Sequence, residues 1–307
     1  MTPPKDFISV ADWSAEALLE LLARAQELKV LNQKGERPRT LVGRTLAMYF
    51  EKPSLRTRVT FEAGVTQLGG NAILLRPEEV GIGTRESPAD VARNLSRWVD
   101  GLMARTYSHS LVEDLAAEAT IPVINGLTDL LHPCQAMADL QTIAEHGDPR
   151  KATVAWVGDG NNMANSLALL ASVLGMNLRL ATPSGYRPAS RVMKHANLLA
   201  EKTGAVISWS EDPAEAVRDA GFVYTDTWTS MGQEAESEVR RSVFAPYQVN
   251  ETLLAGAPDA YVMHCLPAHR GEEITDEVLD GPRCLAYDQA ENRLHSQKAI
   301  MERVMLA

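Results

Sequence analysis

TLAMYFEKPSLRTRVTFEAGVTQL, residues 45–68, reads as one strand handing the chain to one helix. Thr45–Phe50 is an apolar run of strand length, which predicts a strand covered on both faces. Ser54 has the chemistry of a helix cap, and a helix over 55–68 is expected to turn Val59, Val65 and Leu68 inward before Gly69 and Gly70 end it. A buried strand followed at once by a helix is the repeating unit of an α/β fold.

The same alternation continues in both directions. Upstream, Ser14 caps a helix whose apolar residues Leu18, Leu21, Leu22, Ala25 and Leu28 recur at helical spacing, with Gly35 as a stop. Downstream, Ser87-Pro88 opens a helix towards Val99, and Gly101–Arg105 and 121–124 are short strands. The polar segment 145–150, broken by Gly147 and Pro149, marks a domain boundary. Beyond it, strands are expected at 151–157, Asn177–Ala181, 206–209, Phe222–Thr225 and 261–265, separated by helical stretches. A chain of 307 residues suits two such domains. The expected fold class is therefore α/β, with two doubly wound domains and largely parallel sheets: residues 1–145, residues 146–290, and a last helix at 291–305 that can dock on either. No internal repeat or low-complexity tract interrupts the pattern.

Composition excludes several functions. No apolar run approaches the roughly 20 residues of a membrane span, so no membrane partner is expected. The start, Met1-Thr2-Pro3-Pro4-Lys5-Asp6, lacks the features of a secretory signal, and three cysteines cannot all pair within one chain, so a reducing cytoplasm is expected. A formal net charge of -10 argues against nucleic acid as a partner. An anionic ligand must then be captured locally, and Arg56, Arg58 and Arg105 concentrate around loops suited to that. The competing reading has these arginines on a solvated face, paired with Glu51 and Glu62.

Five clusters carry chemistry. In Ser54-Leu55-Arg56-Thr57-Arg58, helix-start amides, forked guanidinium donors and a hydroxyl together suit a phosphate dianion. His132-Pro133-Cys134-Gln135 presents neutral donors and acceptors matched to an amide-like carbonyl, or else a structural histidine. The run Gly158-Asp159-Gly160-Asn161-Asn162-Met163 follows a strand but lacks the third glycine of a dinucleotide motif, and Asn162 is better read as a helix cap or a ligand for a small polar group. Asp226 precedes Ser230, Met231 and Gly232 on one loop, where a carboxylate can pair with an ammonium or cap a helix. His264, Cys265 and His269 lack the companions of a tetrahedral metal site, and Cys265 is either a reactive thiol or a small buried residue.

Together these motifs give the chain a resemblance, over nearly its whole length, to the aspartate/ornithine carbamoyltransferase family. Residues 54–58 are similar to the family's Ser-Thr-Arg-Thr-Arg, 132–135 match its second motif, and Asp226 with 230–232 looks like its ornithine loop. His264-Cys265-Leu266-Pro267 stands where the aspartate-specific members carry His-Pro-Leu-Pro. The resemblance implies transfer of the carbamoyl group of carbamoyl phosphate to the side-chain amine of L-ornithine, with the active site in the interdomain cleft and the last helix returning to the first domain. It implies that Ser54, Leu55, Arg56, Thr57, Arg105, His132, Gln135, Cys265, Leu266 and Arg293 hold carbamoyl phosphate. Asn162, Asp226, Ser230 and Met231 would hold ornithine, and Arg105, His132, Asp226 and Cys265 would act in catalysis. No metal or cofactor is implied, and the assembly would be a homotrimer or a group of trimers. Two departures stand out: Leu55 replaces a threonine, and Gly81 stands where many relatives carry a glutamine that reaches a neighbouring subunit's site. Related transferases use N-acetylornithine, putrescine or aspartate, and a non-catalytic sensor could keep the anion site alone.

Overall fold

In the computed structural model, which describes residues 4–229 and 234–307, nine strands form two wholly parallel sheets. The chain divides into two compact units, Met1–Gln141 with Glu291–Ala307, and Thr142–Ala290. The division at 141/142 falls inside the helix Pro133–His146. Among the described residues no helix is long and apolar enough to cross a membrane.

The first unit holds β1 (Thr45–Phe50), β2 (Asn71–Leu75), β3 (Gly101–Arg105) and β4 (Val123–Leu127), in the order β2-β1-β3-β4. Its order reverses between β1 and β3, whose carboxyl ends pair Phe50 with Arg105. Such a reversal leaves a crevice beyond the strand ends, because the connecting helices depart to opposite faces. Ser54, which follows β1, and Arg105, which ends β3, both stand at that reversal. Ala47, Tyr49, Leu102, Val112, Leu115 and Val123 fill the core on one side of the sheet.

The helix Ala15–Gln33 buries all five expected residues, and the Ser14 hydroxyl accepts from the Ala17 amide at 3.2 Å. The helix Leu55–Gln67 forms as expected, with one correction: Val65 and the adjoining Leu68 are buried, but Val59 is 52% exposed. At about 3.6 residues per turn, Val59 points roughly opposite to the buried Phe61, Val65 and Leu68. β2 was not anticipated. It is an edge strand with only partial burial, so its sequence carries a weak pattern. The segment around Gly81 contains one helical turn, Pro77–Val80, which Gly81 ends at φ 66°.

The second unit holds β5 (Thr153–Val157), β6 (Asn177–Ala181), β7 (Ile207–Ser210), β8 (Phe222–Thr225) and β9 (Tyr261–His264), in the order β7-β6-β5-β8-β9. Here the reversal lies between β5 and β8, which pair Trp156 with Tyr224. The turn after β5 and Asp226, which follows β8, therefore flank one crevice. Val157, Val223, Trp228, Phe244 and Val262 belong to the core on one side of this sheet.

Candidate active site

The first unit gathers a buried cationic cluster. Ser54 caps the helix Leu55–Gln67 by accepting from the Thr57 amide at 3.2 Å, leaving first-turn amides that have no intrahelical acceptor. The Thr57 hydroxyl, fully buried, accepts from Arg105 Nη1 at 3.3 Å and from Arg293 Nη2 at 2.7 Å. Arg293 Nη1 also donates to Gln135 Oε1 at 3.1 Å, and Gln135 Nε2 donates to Asp139 Oδ1 at 2.9 Å. Residues from four separate stretches thus share one hydrogen-bonded chain.

His132 is buried beside this cluster. Burial, and then the positive charges of Arg293, Arg105 and Arg56, hold its pKa well below the ordinary histidine value. Its imidazole is neutral at pH 7 and suited to hydrogen bonding with a carbonyl. Cys134 is a packing residue: its thiol donates to the Asn125 carbonyl at 3.3 Å, and burial pushes its pKa up to about 12. Leu55 is 74% exposed, so its side chain lies outside the buried cluster. Arg58 forms an exposed pair with Glu62 at 3.6 Å, which is the solvated-face arrangement, whereas Arg105 is buried.

Lys52 escaped the reading of the motifs. It lies two residues before Ser54, is buried, and sets its ammonium 4.3 Å from the centre of the Tyr107 ring. Burial and the nearby Arg105 lower its pKa, against the pull of Asp129 and Glu51. A lysine two residues past the end of a buried strand was the available signal.

The second unit gathers a carboxylate, an amide and a thiol. Asp226 Oδ2 accepts from Asn161 Nδ2 at 2.8 Å, and its Oδ1 accepts from the Cys265 thiol at 3.1 Å and the Thr227 amide at 2.8 Å. Asn161, not Asn162, caps the helix Asn162–Leu174, accepting from the Met163 and Ala164 amides at 2.9 and 3.2 Å. Asn162 is the first helical residue beside it. Both asparagines fit a cap by residue type, and only the backbone geometry chooses between them. A side chain on Gly160 would come within 2.2–2.5 Å of the backbone at residues 186–188, so this glycine serves close packing.

His264 is fully buried. Its Nδ1 accepts from the Leu266 amide at 2.9 Å, which places the proton of the neutral ring on Nε2, donating to Glu273 Oε1 at 3.0 Å. This bonding supports Leu266 at φ 55°, an unfavourable backbone for leucine. Asp226, His264 and Cys265 bring ligand-type atoms within 4.8 Å of one another, yet both His264 nitrogens are already engaged. Cys265 and Leu266, expected with the phosphate-binding group, belong to the second unit, where Cys265 bonds Asp226. Ser230, Met231 and Gly232 lie outside the described residues.

Comparison with known proteins agrees with this division. Residues 5–145 match the family model described as "Aspartate/ornithine carbamoyltransferase, carbamoyl-P binding domain", and residues 150–304 match its "Asp/Orn binding domain". An ornithine carbamoyltransferase of Anoxybacillus flavithermus is 54% identical, over 97% of this chain and 95% of its own. One from Thermococcus kodakarensis is 50% identical, over 98% and 96%. The solved structure of the Pyrococcus furiosus ornithine carbamoyltransferase superposes with a TM-score of 0.95 at 49% identity, covering 98% of this chain and 97% of that one. The chain belongs to the aspartate/ornithine carbamoyltransferase family.

Proposed function

We propose that the chain transfers the carbamoyl group of carbamoyl phosphate to the side-chain amine of L-ornithine, giving L-citrulline and phosphate. A C–N bond forms, the bond from the carbamoyl carbon to the phosphate oxygen breaks, and the amine gives up a proton. The observation that carries this reading is a separation of charge by unit. Arg56, Arg105 and Arg293 cluster around buried His132 in the unit matching the carbamoyl-P binding model, and buried Asp226 with its adjoining thiol sits in the unit matching the Asp/Orn model.

In this reading the amides that follow Ser54, at Leu55 and Arg56, and the Arg56 side chain take the phosphate. Thr57, Arg105 and His132 hydrogen-bond the carbamoyl oxygen as charge develops on it, while Gln135 and Arg293 bind the same substrate. Cys265 and Leu266 add contacts to the same substrate. Asp226 orients the ornithine ammonium, with Asn162, Ser230 and Met231 on the rest of the amino acid. An alkyl ammonium has a pKa near ~10, so the site must favour the free amine, and Asp226 with Cys265 handles that proton. Attack is direct, with no covalent enzyme intermediate, and needs no metal or cofactor.

The enzyme is read as a cytoplasmic homotrimer or assembly of trimers. All three cysteines are free thiols, which suits a reducing compartment. Leu55, Val59 and Ile73 leave apolar surface on one helix and one edge strand of the first unit, which suits burial against another copy.

The test is to incubate the protein with carbamoyl phosphate and, separately, ornithine, N-acetylornithine, putrescine and aspartate. Citrulline from ornithine alone supports the reading. Product from another amine overturns the acceptor, and no product from any amine overturns the activity.

A further inference from the structure

We propose that Arg240 and Asp159 form a positioning clasp for the amine half-site, fixing Asp226 and the chain on both sides of 230–233; the inference rests on Asp226 as the acceptor's partner.

Arg240 lies in the helix Ser237–Phe244 and is 5% exposed. Its Nη1 donates to Asp159 Oδ2 at 3.1 Å and to the Trp228 carbonyl at 2.7 Å, and its Nε donates to Glu236 Oε2 at 3.2 Å. The guanidinium also stands 4.8 Å over the Tyr186 ring. One side chain therefore grips the turn after β5, the residue two past Asp226, and the segment after 233. A guanidinium suits this task because its donors are fixed in one plane and reach several acceptors at once.

The grip leads directly to Asp226. Asp159 is two residues before Asn161, whose side-chain amide holds Asp226 Oδ2 at 2.8 Å. The intervening Gly160 amide donates to the Tyr186 carbonyl at 2.8 Å, and the Asp159 carbonyl accepts from the Trp156 indole at 2.9 Å. Asp226 is thus held between two chain segments, one through Asn161 and one through its own strand, and Arg240 ties those segments together. A buried ion pair is a poor device for stability, since desolvation offsets much of the attraction. Its place here gives it another role, that of fixing a carboxylate which must meet a substrate cation.

The test uses Arg240→Gln, Arg240→Lys and Asp159→Asn in the full chain, with steady-state kinetics for both substrates and whichever amine the parent carbamoylates. The parent's own choice of amine reports on the acceptor assignment separately. Each variant that folds is expected to raise the amine KM about tenfold or more while changing the carbamoyl phosphate KM by less than about twofold. Arg240→Lys should recover part of the loss seen in Arg240→Gln, because it keeps the charge but not the fork. A general loss of structure would move both KM values and the Tm together. The inference is overturned if amine KM stays within about twofold of the parent in folded Arg240→Lys or Asp159→Asn, or if both KM values rise equally.

Discussion

The Thr57 hydroxyl accepts from the Arg293 guanidinium at 2.7 Å although 236 residues separate them, and the same oxygen accepts from Arg105 at 3.3 Å. Two buried cations share a neutral acceptor that offers neither of them a charge. Like charges so placed repel, more strongly in a buried setting than in water. An anion bound beside them would ease that repulsion.

Thr57→Val removes the shared acceptor while keeping the shape of the side chain. It is expected to weaken carbamoyl phosphate binding at least tenfold by calorimetry and to lower stability by about 1–3 kcal/mol. Thr57→Ser should restore most of both. Unchanged binding in a folded Thr57→Val protein would remove this hydroxyl from the site.

His132 should stay neutral well into acid. Its folded-state pKa lies below that of the unfolded chain, so the unfolded state takes up a proton that the native ring refuses. The stability is therefore present above the ordinary histidine pKa of about 6.5 and lost as pH falls below it. Between pH 7.5 and 5.5 the parent should lose about 1 kcal/mol more than His132→Gln in urea unfolding. A ring proton resonance of His132 that titrates near pH 6.5 would contradict this.

Asp226 and Cys265 should separate kinetically. Asp226→Asn is expected to raise the ornithine KM and to lower turnover on the order of 10²-fold. Cys265→Ser keeps a donor to Asp226 Oδ1 and should retain more activity than Cys265→Ala. Equal activity in the two cysteine variants would show that the donor has no part in the reaction.

Assembly can be checked at the exposed apolar residues. Val59→Glu and Ile73→Lys should each shift a trimeric parent towards monomer in sedimentation analysis, since a charge buried at an interface without a partner is disfavoured. Trimers that persist in both variants would place the contact on another surface.

Much of the fold was legible because strands and helices are set by neighbours in the chain. The apolar run of β1, the cap at Ser14 and the alternation through β5 to β9 depend on residues a few positions apart. β2 was missed and Val59 misplaced because an edge strand and one helix face take their burial from distant partners.

The sequence by itself determined the two α/β units, the helix start at Ser54 with its neighbouring arginines, and the placing of a carboxylate at Asp226 and a thiol at Cys265 near strand ends. Tertiary structure alone decided which of these meet. It chose Asn161 over Asn162 as the cap, brought Arg293 to Thr57, and set Arg240 on Asp159. The reason is one of range: periodicity and capping act within a turn or two, whereas the strand orders and buried side-chain contacts depend on segments far apart in the chain.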